Sequence, residues 1–166
     1  MDSARDVPAR DTAAVRVWQA VREPFAAATW SRVAYALLAP PLSAVCVPLA
    51  LLGMPTGRWQ RALVRRLLGA DVPGGGRAGL GHALLATPLN LVTALVTLYG
   101  WSLVPMNLGW PLRAGSDCSD AWGGPTFAGA WAFHAVVGGI GFLLLMPWLG
   151  RGLAALQLRV AKSLLS

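Results

Sequence analysis

Apolar and polar positions fall in long blocks along this 166-residue chain. Three blocks contain no Asp, Glu, Lys or Arg, and they cover residues 33–57, 80–112 and 121–150. A helix rises about 1.5 Å per residue and the bilayer hydrocarbon is about 30 Å thick, so about 18 uncharged apolar residues are long enough to cross it. The pattern predicts an all-α membrane protein.

The fourteen basic residues flank these blocks. Between the second and third blocks there is only Arg113, next to Asp117 and Asp120. Basic residues in short loops stay in the cytoplasm. We therefore expect a membrane protein whose N-terminus, 58–77 segment and C-terminal tail are cytoplasmic, with the loop around Arg113 outside.

The cytoplasmic location expected for the basic segments also predicts how the first apolar block is inserted in the membrane. Three simple crossings would leave the chain ends on opposite faces, and interior prolines remove backbone hydrogen bonds. We therefore expect residues 33–57 to form a re-entrant or shallow hairpin, followed by full crossings at about 83–106 and 127–149. The prolines in question are Pro40, Pro41, Pro48 and Pro55.

The chain repeats one phrase. "ALLAPPLSAV" at 36–45 and "ALLATPLNLV" at 83–92 agree at seven of ten positions, and a basic amphipathic segment follows each apolar part, at 58–68 and 151–165. This predicts a duplicated unit of kinked apolar helical hairpin plus basic interfacial helix. Repeat 1 would cover about 25–72, a linker 73–79 and repeat 2 about 80–166, after a cytoplasmic segment 1–24. An ordinary packed helix with a solvated face is the alternative for each basic segment.

Candidate functional residues cluster at two places. The outer loop and the start of the last crossing offer a sensing surface, for which the alternative is an aromatic belt, a solvated turn and a packed histidine. The basic C-terminal helix offers a signal-relay surface. The sensing residues are Trp110, Arg113, Asp117, Asp120, Trp122 and His134, and the relay residues are Arg151, Arg159 and Lys162.

Catalysis and cofactors have no support in the sequence. His82 and His134 would lie about 25 Å apart by helix rise, too far to share a metal or haem. No nucleophile–base pair or carboxylate pair converges on one side of the membrane. The arginines flank apolar runs, which indicates contact with an anionic inner leaflet rather than with nucleic acid.

The phrases "WGGPTFAGAWAFHA" (122–135) and "LLLMPWLGRGLAAL" (143–156) resemble the sensor domain at the N-terminus of actinobacterial two-component histidine kinases. That family is similarly built from apolar hairpins, each followed by an "RGLxxLxxxxAxxLL" helix, which begins here at Arg151. Two departures are evident: the first hairpin lacks a segment, and no phospho-acceptor or ATP-binding region follows. The chain is therefore expected not to be an enzyme.

These observations together predict a multi-pass membrane input module, itself non-catalytic. It would lie in the bacterial plasma membrane, detect an extracytoplasmic or membrane cue and relay it to a cytoplasmic partner such as a histidine kinase, with a homodimer as one candidate assembly. The alternatives are a small membrane scaffold or assembly subunit and, third, a transporter component.

Overall fold

The computed structural model describes residues 9–74, 79–115 and 118–165, and these residues form helices and connections without a strand. The prediction of an all-α chain is confirmed. A π-helical segment, His134–Ile140, joins α5 to α6, so Phe127–Leu165 is one helical element of 39 residues. The helices are α1 (Ala9–Arg22), α2 (Ala27–Leu51), α3 (Gly57–Leu68), α4 (Gly79–Leu108), α5 (Phe127–Phe133) and α6 (Gly141–Leu165).

Three of these elements are long and apolar enough to cross a bilayer: α2, α4 and the α5–α6 element. This composition is compatible with a membrane protein. The predicted crossings at 83–106 and 127–149 fall within α4 and within the α5–α6 element, respectively.

The predicted hairpin in residues 33–57 is wrong. α2 is one helix of 25 residues that contains Pro40, Pro41 and Pro48. At about 1.5 Å per residue it is about 37 Å long. Proline's fixed φ is itself helical, so each proline removes one hydrogen bond without reversing the chain. The reversal comes after α2, where Gly53 adopts a φ of 81°.

α2 and α4 run antiparallel to each other. The ring centroids of Trp30, near the start of α2, and Trp101, near the end of α4, lie 4.9 Å apart. Later in α2 and earlier in α4, the Asn90 side-chain amide donates to Ser43 Oγ at 3.2 Å. α6 is antiparallel to α4 in turn, because Asn90 accepts from Gln157 while Gly138, before α6, packs on the other end of α4. α2 therefore runs parallel to α6. We call the end at the 109–126 connection the loop end and the other the C-terminal end.

α3 folds back along the bundle and fills the groove between α2 and α6. Val64 is fully buried in a cluster with Tyr35 and Ala39 of α2 and with Ala161 and Leu165 of α6. The apolar stripe of α3 is thus covered by protein. These contacts are those of the packed-helix alternative, and the exposed side of α3 is basic (Arg58, Arg65 and Arg66).

The buried and exposed faces of α4 have the opposite polarity to those of a helix in a water-soluble protein. Its buried face carries small or polar side chains, whereas its exposed face carries large apolar ones, the opposite of a helix that packs in water. Helices packed inside a bilayer use small and polar residues in this way. The buried set includes Ala83, Ala86, Asn90, Thr93, Thr97 and Gly100, and the exposed set includes Leu84, Leu85, Leu91, Val92, Leu95 and Leu98.

The repeated phrase has the same burial pattern in both copies. Positions 47 residues apart are buried in α2 and again in α4, and one such pair, Ser43 and Asn90, meets directly. When two copies are related by a local two-fold axis, equivalent positions come into contact at the axis, and the Ser43–Asn90 contact has this form. The matched buried pairs are Tyr35 and His82, Ala36 and Ala83, Ala39 and Ala86, Ser43 and Asn90, and Cys46 and Thr93.

Candidate functional site

An aromatic cluster lies at the loop end. The Trp110 ring stacks on the His134 imidazole, with centroids 5.0 Å apart and an interplanar angle of 19°. Phe127 contacts Trp110 from α5, with centroids 5.5 Å apart. The His134 Nδ1 atom lies 2.8 Å from the carbonyl oxygen of Ala130, one helical turn earlier. The structure therefore brings together two of the predicted sensing residues, Trp110 and His134.

A third predicted residue joins this cluster through an intermediate ring. The ring centroids of Trp122 and Phe133 lie 5.9 Å apart, and those of Phe133 and His134 lie 5.9 Å apart in an edge-on arrangement. Trp131 fixes α5 to α4, because its indole N–H donates to the Leu108 carbonyl at 3.3 Å. The aromatic cluster thus connects the loop, the end of α4 and the beginning of the α5–α6 element.

The polar residues of the predicted sensing surface are placed differently. Arg113 donates from Nε and Nη2 to the carbonyl of Met106, at 3.3 and 3.0 Å, so its guanidinium caps the end of α4. Asp120 is exposed in the loop, and Asp117 lies outside the described residues. Among the described residues, the predicted surface is therefore an aromatic cluster with Arg113 beside it.

The π-helical segment holds this cluster close to α4. A Cβ added at Gly138 would meet the side chain of Asn107, and one at Gly139 would lie 2.6 Å from Leu108 Cδ2. Small residues permit such close helix contact. Gly138 and Gly139 therefore allow this segment to pack closely against the end of α4. π-helical segments interrupt α-helices locally and occur frequently at functional sites.

An ion cluster lies farther along the same element, where α6 passes the start of α2. Arg151 pairs with Glu23, and Arg32 pairs with the same carboxylate at 3.6 Å. The Arg151 guanidinium also lies over the Trp148 ring, 4.8 Å from its centroid. Of the predicted relay residues, Arg151 thus ties α6 to the N-terminal part of the chain, whereas Arg159 and Lys162 lie on the exposed face of α6.

Two groups of residues were missed by sequence reasoning. Glu23 is the sole glutamate of the chain and directly precedes the first apolar helix, which was a usable signal. The other group is a buried polar network in which Gln157 Nε2 donates to Asn90 Oδ1 at 2.9 Å and Asn90 in turn donates to Ser43. An amide within an apolar run was the available signal, because polar side chains connect helices inside membranes.

Candidate metal ligands are dispersed in the described part of the chain. Within the described ranges there is no group of three or more His, Cys, Asp or Glu that could hold a metal ion. His82 and His134 belong to opposite ends of the bundle, since His82 is near the start of α4 and His134 contacts the far end. No family model matches the chain, and neither a curated protein nor a solved structure is significantly similar to it.

Proposed function

We propose that the chain is a multi-pass membrane input module, itself non-catalytic, that detects an extracytoplasmic or membrane cue at its loop end and relays it to a cytoplasmic protein. The supporting observation is that His134 of the aromatic cluster and the basic C-terminal helix belong to one helical element, Phe127–Leu165. Backbone hydrogen bonds resist local change, so such an element transmits a displacement along its length, and the π-helical segment and Pro147 are the places where it can bend.

The relay would work through packing at the π-helical segment. A cue that opened or closed the Trp110–His134 stack would shift this segment against the end of α4, which it contacts at Gly138 and Gly139. Helix shifts of about 1–2 Å are a common form of signal transmission. The cue must favour one of two arrangements over the other, since a ligand without such preference shifts nothing.

For the topology, we propose the bacterial plasma membrane, with the loop end outside and both termini cytoplasmic, as the arginines favour. Because α2 runs parallel to α6, the start of α2 and the α1 helix before it lie toward the loop end. A full crossing by α2 would place the N-terminus outside, so a cytoplasmic N-terminus requires that α2 does not cross the membrane completely. The basic faces of α3 and α6 would then face the cytosol, where Arg159 and Lys162 are exposed.

The proposed partner is a histidine kinase or another cytoplasmic signalling protein that contacts the basic helix. This follows from the sequence resemblance at 122–135 and 151–165 and from the position of Arg151, which fixes the start of that helix through Glu23. A shift along the α5–α6 element would therefore change this ion pair before it reached the partner.

The relay predicts a distance change far from the site of perturbation. In a background with Cys46→Ala and Cys118→Ser, spin labels at Arg65→Cys and Ser163→Cys would report the spacing of α3 and α6 in nanodiscs. Trp110→Ala removes the ring that stacks on His134. We expect the inter-label distance to shift by about 1–2 Å or more, measured by pulsed electron paramagnetic resonance.

The matched control is Leu112→Ala, which removes a loop side chain that is 93% exposed. It should leave the distance distribution as in the parent protein, and circular dichroism would confirm that both variants stay helical. If Trp110→Ala also left the distribution unchanged, the relay would be wrong.

That outcome would favour a second candidate function, a small membrane scaffold or assembly subunit. The observation behind it is the extent of exposed leucine and valine on α2 and α4, for example Leu38, Leu51 and Leu95. Such surfaces bind lipid or other helices equally well. A scaffold would need no coupling between its two ends.

A further inference from the structure

A large cleft lies between α1 and α6, beside the ion pair of Glu23 with Arg151. It has a volume of about 1000 Å³ and is bounded by α1, by the short turn after it and by the part of α6 around Trp148. Cavities that hold drug-sized ligands measure about 300–1,000 Å³, so this cleft can accept a sizeable molecule. The predicted sensing residues lie elsewhere, in the aromatic cluster.

The charges of the cleft favour an anion. Arg16, Arg22 and Arg151 line it against one carboxylate, that of Glu23. Glu23 is already engaged by Arg151 and by Arg32. The cleft therefore keeps an excess of guanidinium groups, which bind phosphate through paired N–H donors.

The same cleft offers rings for an apolar chain. Trp18, Phe25 and Trp148 line it, and each is more than half exposed. The Arg22 guanidinium lies 5.7 Å from the centroid of the Trp18 ring, and Arg151 lies over Trp148 in the same manner. Exposed apolar side chains continue from Trp148 along α6 to Leu145. Groups that bind phosphate thus lie next to an apolar surface, and this arrangement is complementary to a lipid with a phosphate headgroup and acyl chains.

We propose that this cleft binds an anionic phospholipid. The headgroup phosphate would lie at Arg16 and Arg22, beside the Glu23–Arg151 pair, and an acyl chain would follow Phe25 and Trp148 along α6. A lipid bound there would hold α1 against α6 next to the Glu23–Arg151 ion pair. The proposal rests on the membrane location of the chain and not on the relay, so the two can fail separately.

Lipid retention tests the site. The detergent-purified protein would be incubated with equal amounts of phosphatidylglycerol and phosphatidylcholine, and native mass spectrometry would count the bound lipids. We expect the parent protein to retain phosphatidylglycerol preferentially. The variant Arg16→Gln/Arg22→Gln should lose roughly tenfold or more in affinity, because it removes both guanidinium groups that would bind the phosphate.

The control variant is Arg58→Gln/Arg65→Gln, which removes two exposed arginines of α3 that lie outside the cleft. It should retain phosphatidylglycerol as the parent does. Equal loss in both variants would mean diffuse attraction to basic charge, and no preference over phosphatidylcholine would exclude headgroup recognition. Displacement of the lipid by an equal concentration of inorganic phosphate would show that the acyl chain contributes nothing. Each of these results would overturn the proposal.

Discussion

Replacing Asn90 with leucine is expected to lower the free energy of unfolding by about 1–3 kcal/mol. Asn90 donates to Ser43 and accepts from Gln157 in the centre of the bundle, where all three side chains are buried. Leucine would leave the Gln157 amide without its acceptor. The Gln157 Oε1 atom already has no partner among the described protein atoms, so the amide would be unpaired at both ends. Thermal or denaturant unfolding in detergent would measure the loss.

A control on the same helix is Ser102→Ala, which removes a local bond from Ser102 to the Tyr99 carbonyl and no contact between helices. It should cost no more than about 0.5 kcal/mol. The double variant Asn90→Leu/Gln157→Leu should lose less than the sum of the single variants, because no polar group of that pair then stays buried alone. Full additivity, or an Asn90→Leu variant as stable as the control, would contradict the network.

Gly138→Val is expected to separate the π-helical segment from α4. A Cβ at this position would meet the side chain of Asn107, so the added valine must push one element away from the other. Overpacking of this kind costs about 1–3 kcal/mol. The Trp110 ring should then leave the His134 imidazole, which would shift the ring-proton resonances of His134. The chain has two histidines, so the NMR signals can be assigned by substitution.

Gly152→Val provides the matched control, because a Cβ there meets nothing within 4 Å. Both substitutions place the same β-branched residue in a helix, so the propensity cost is shared. The difference between the two variants isolates packing against α4. Equal stability and an unchanged His134 spectrum in both would show that the close contact at Gly138 has no energetic weight.

The apolar and the basic amphipathic helical segments could be predicted from the sequence, because they depend on local composition, whereas the helix α1 was not predicted. The course of α2 could not be predicted. The hairpin prediction rested on the distribution of basic residues and on Pro40, Pro41 and Pro48 as breaks in a helix, whereas a proline inside a helix leaves the helix direction intact when its neighbours continue it. The turn instead follows Leu51, in a stretch that contains Gly53.

The candidate site could be predicted only in part, for a similar reason. Trp110, Trp122 and His134 were found because aromatic residues are expected at a membrane boundary and an ionisable residue inside a membrane segment is rare. Their stacking partners on α5 and the caps made by Arg113 depend on how the loop returns, which local sequence does not determine. Glu23 and Gln157 contact residues far away in the chain, at Arg151 and Asn90, so their roles emerge only from tertiary packing.

Cysteine accessibility in intact cells tests the central claim, that one helical element joins an outer aromatic cluster to a cytoplasmic basic helix. In the background without native cysteines, Gly115→Cys would lie in the loop, Ser163→Cys near the end of α6 and Gln19→Cys on α1; the parent residues are all exposed. With a membrane-impermeant maleimide, the account predicts labelling at Gly115→Cys alone until the cells are permeabilised. Labelling of Ser163→Cys from outside, or of Gly115→Cys only after permeabilisation, would contradict the relay across the membrane, and outside labelling of Gln19→Cys would contradict the proposed cytoplasmic N-terminus.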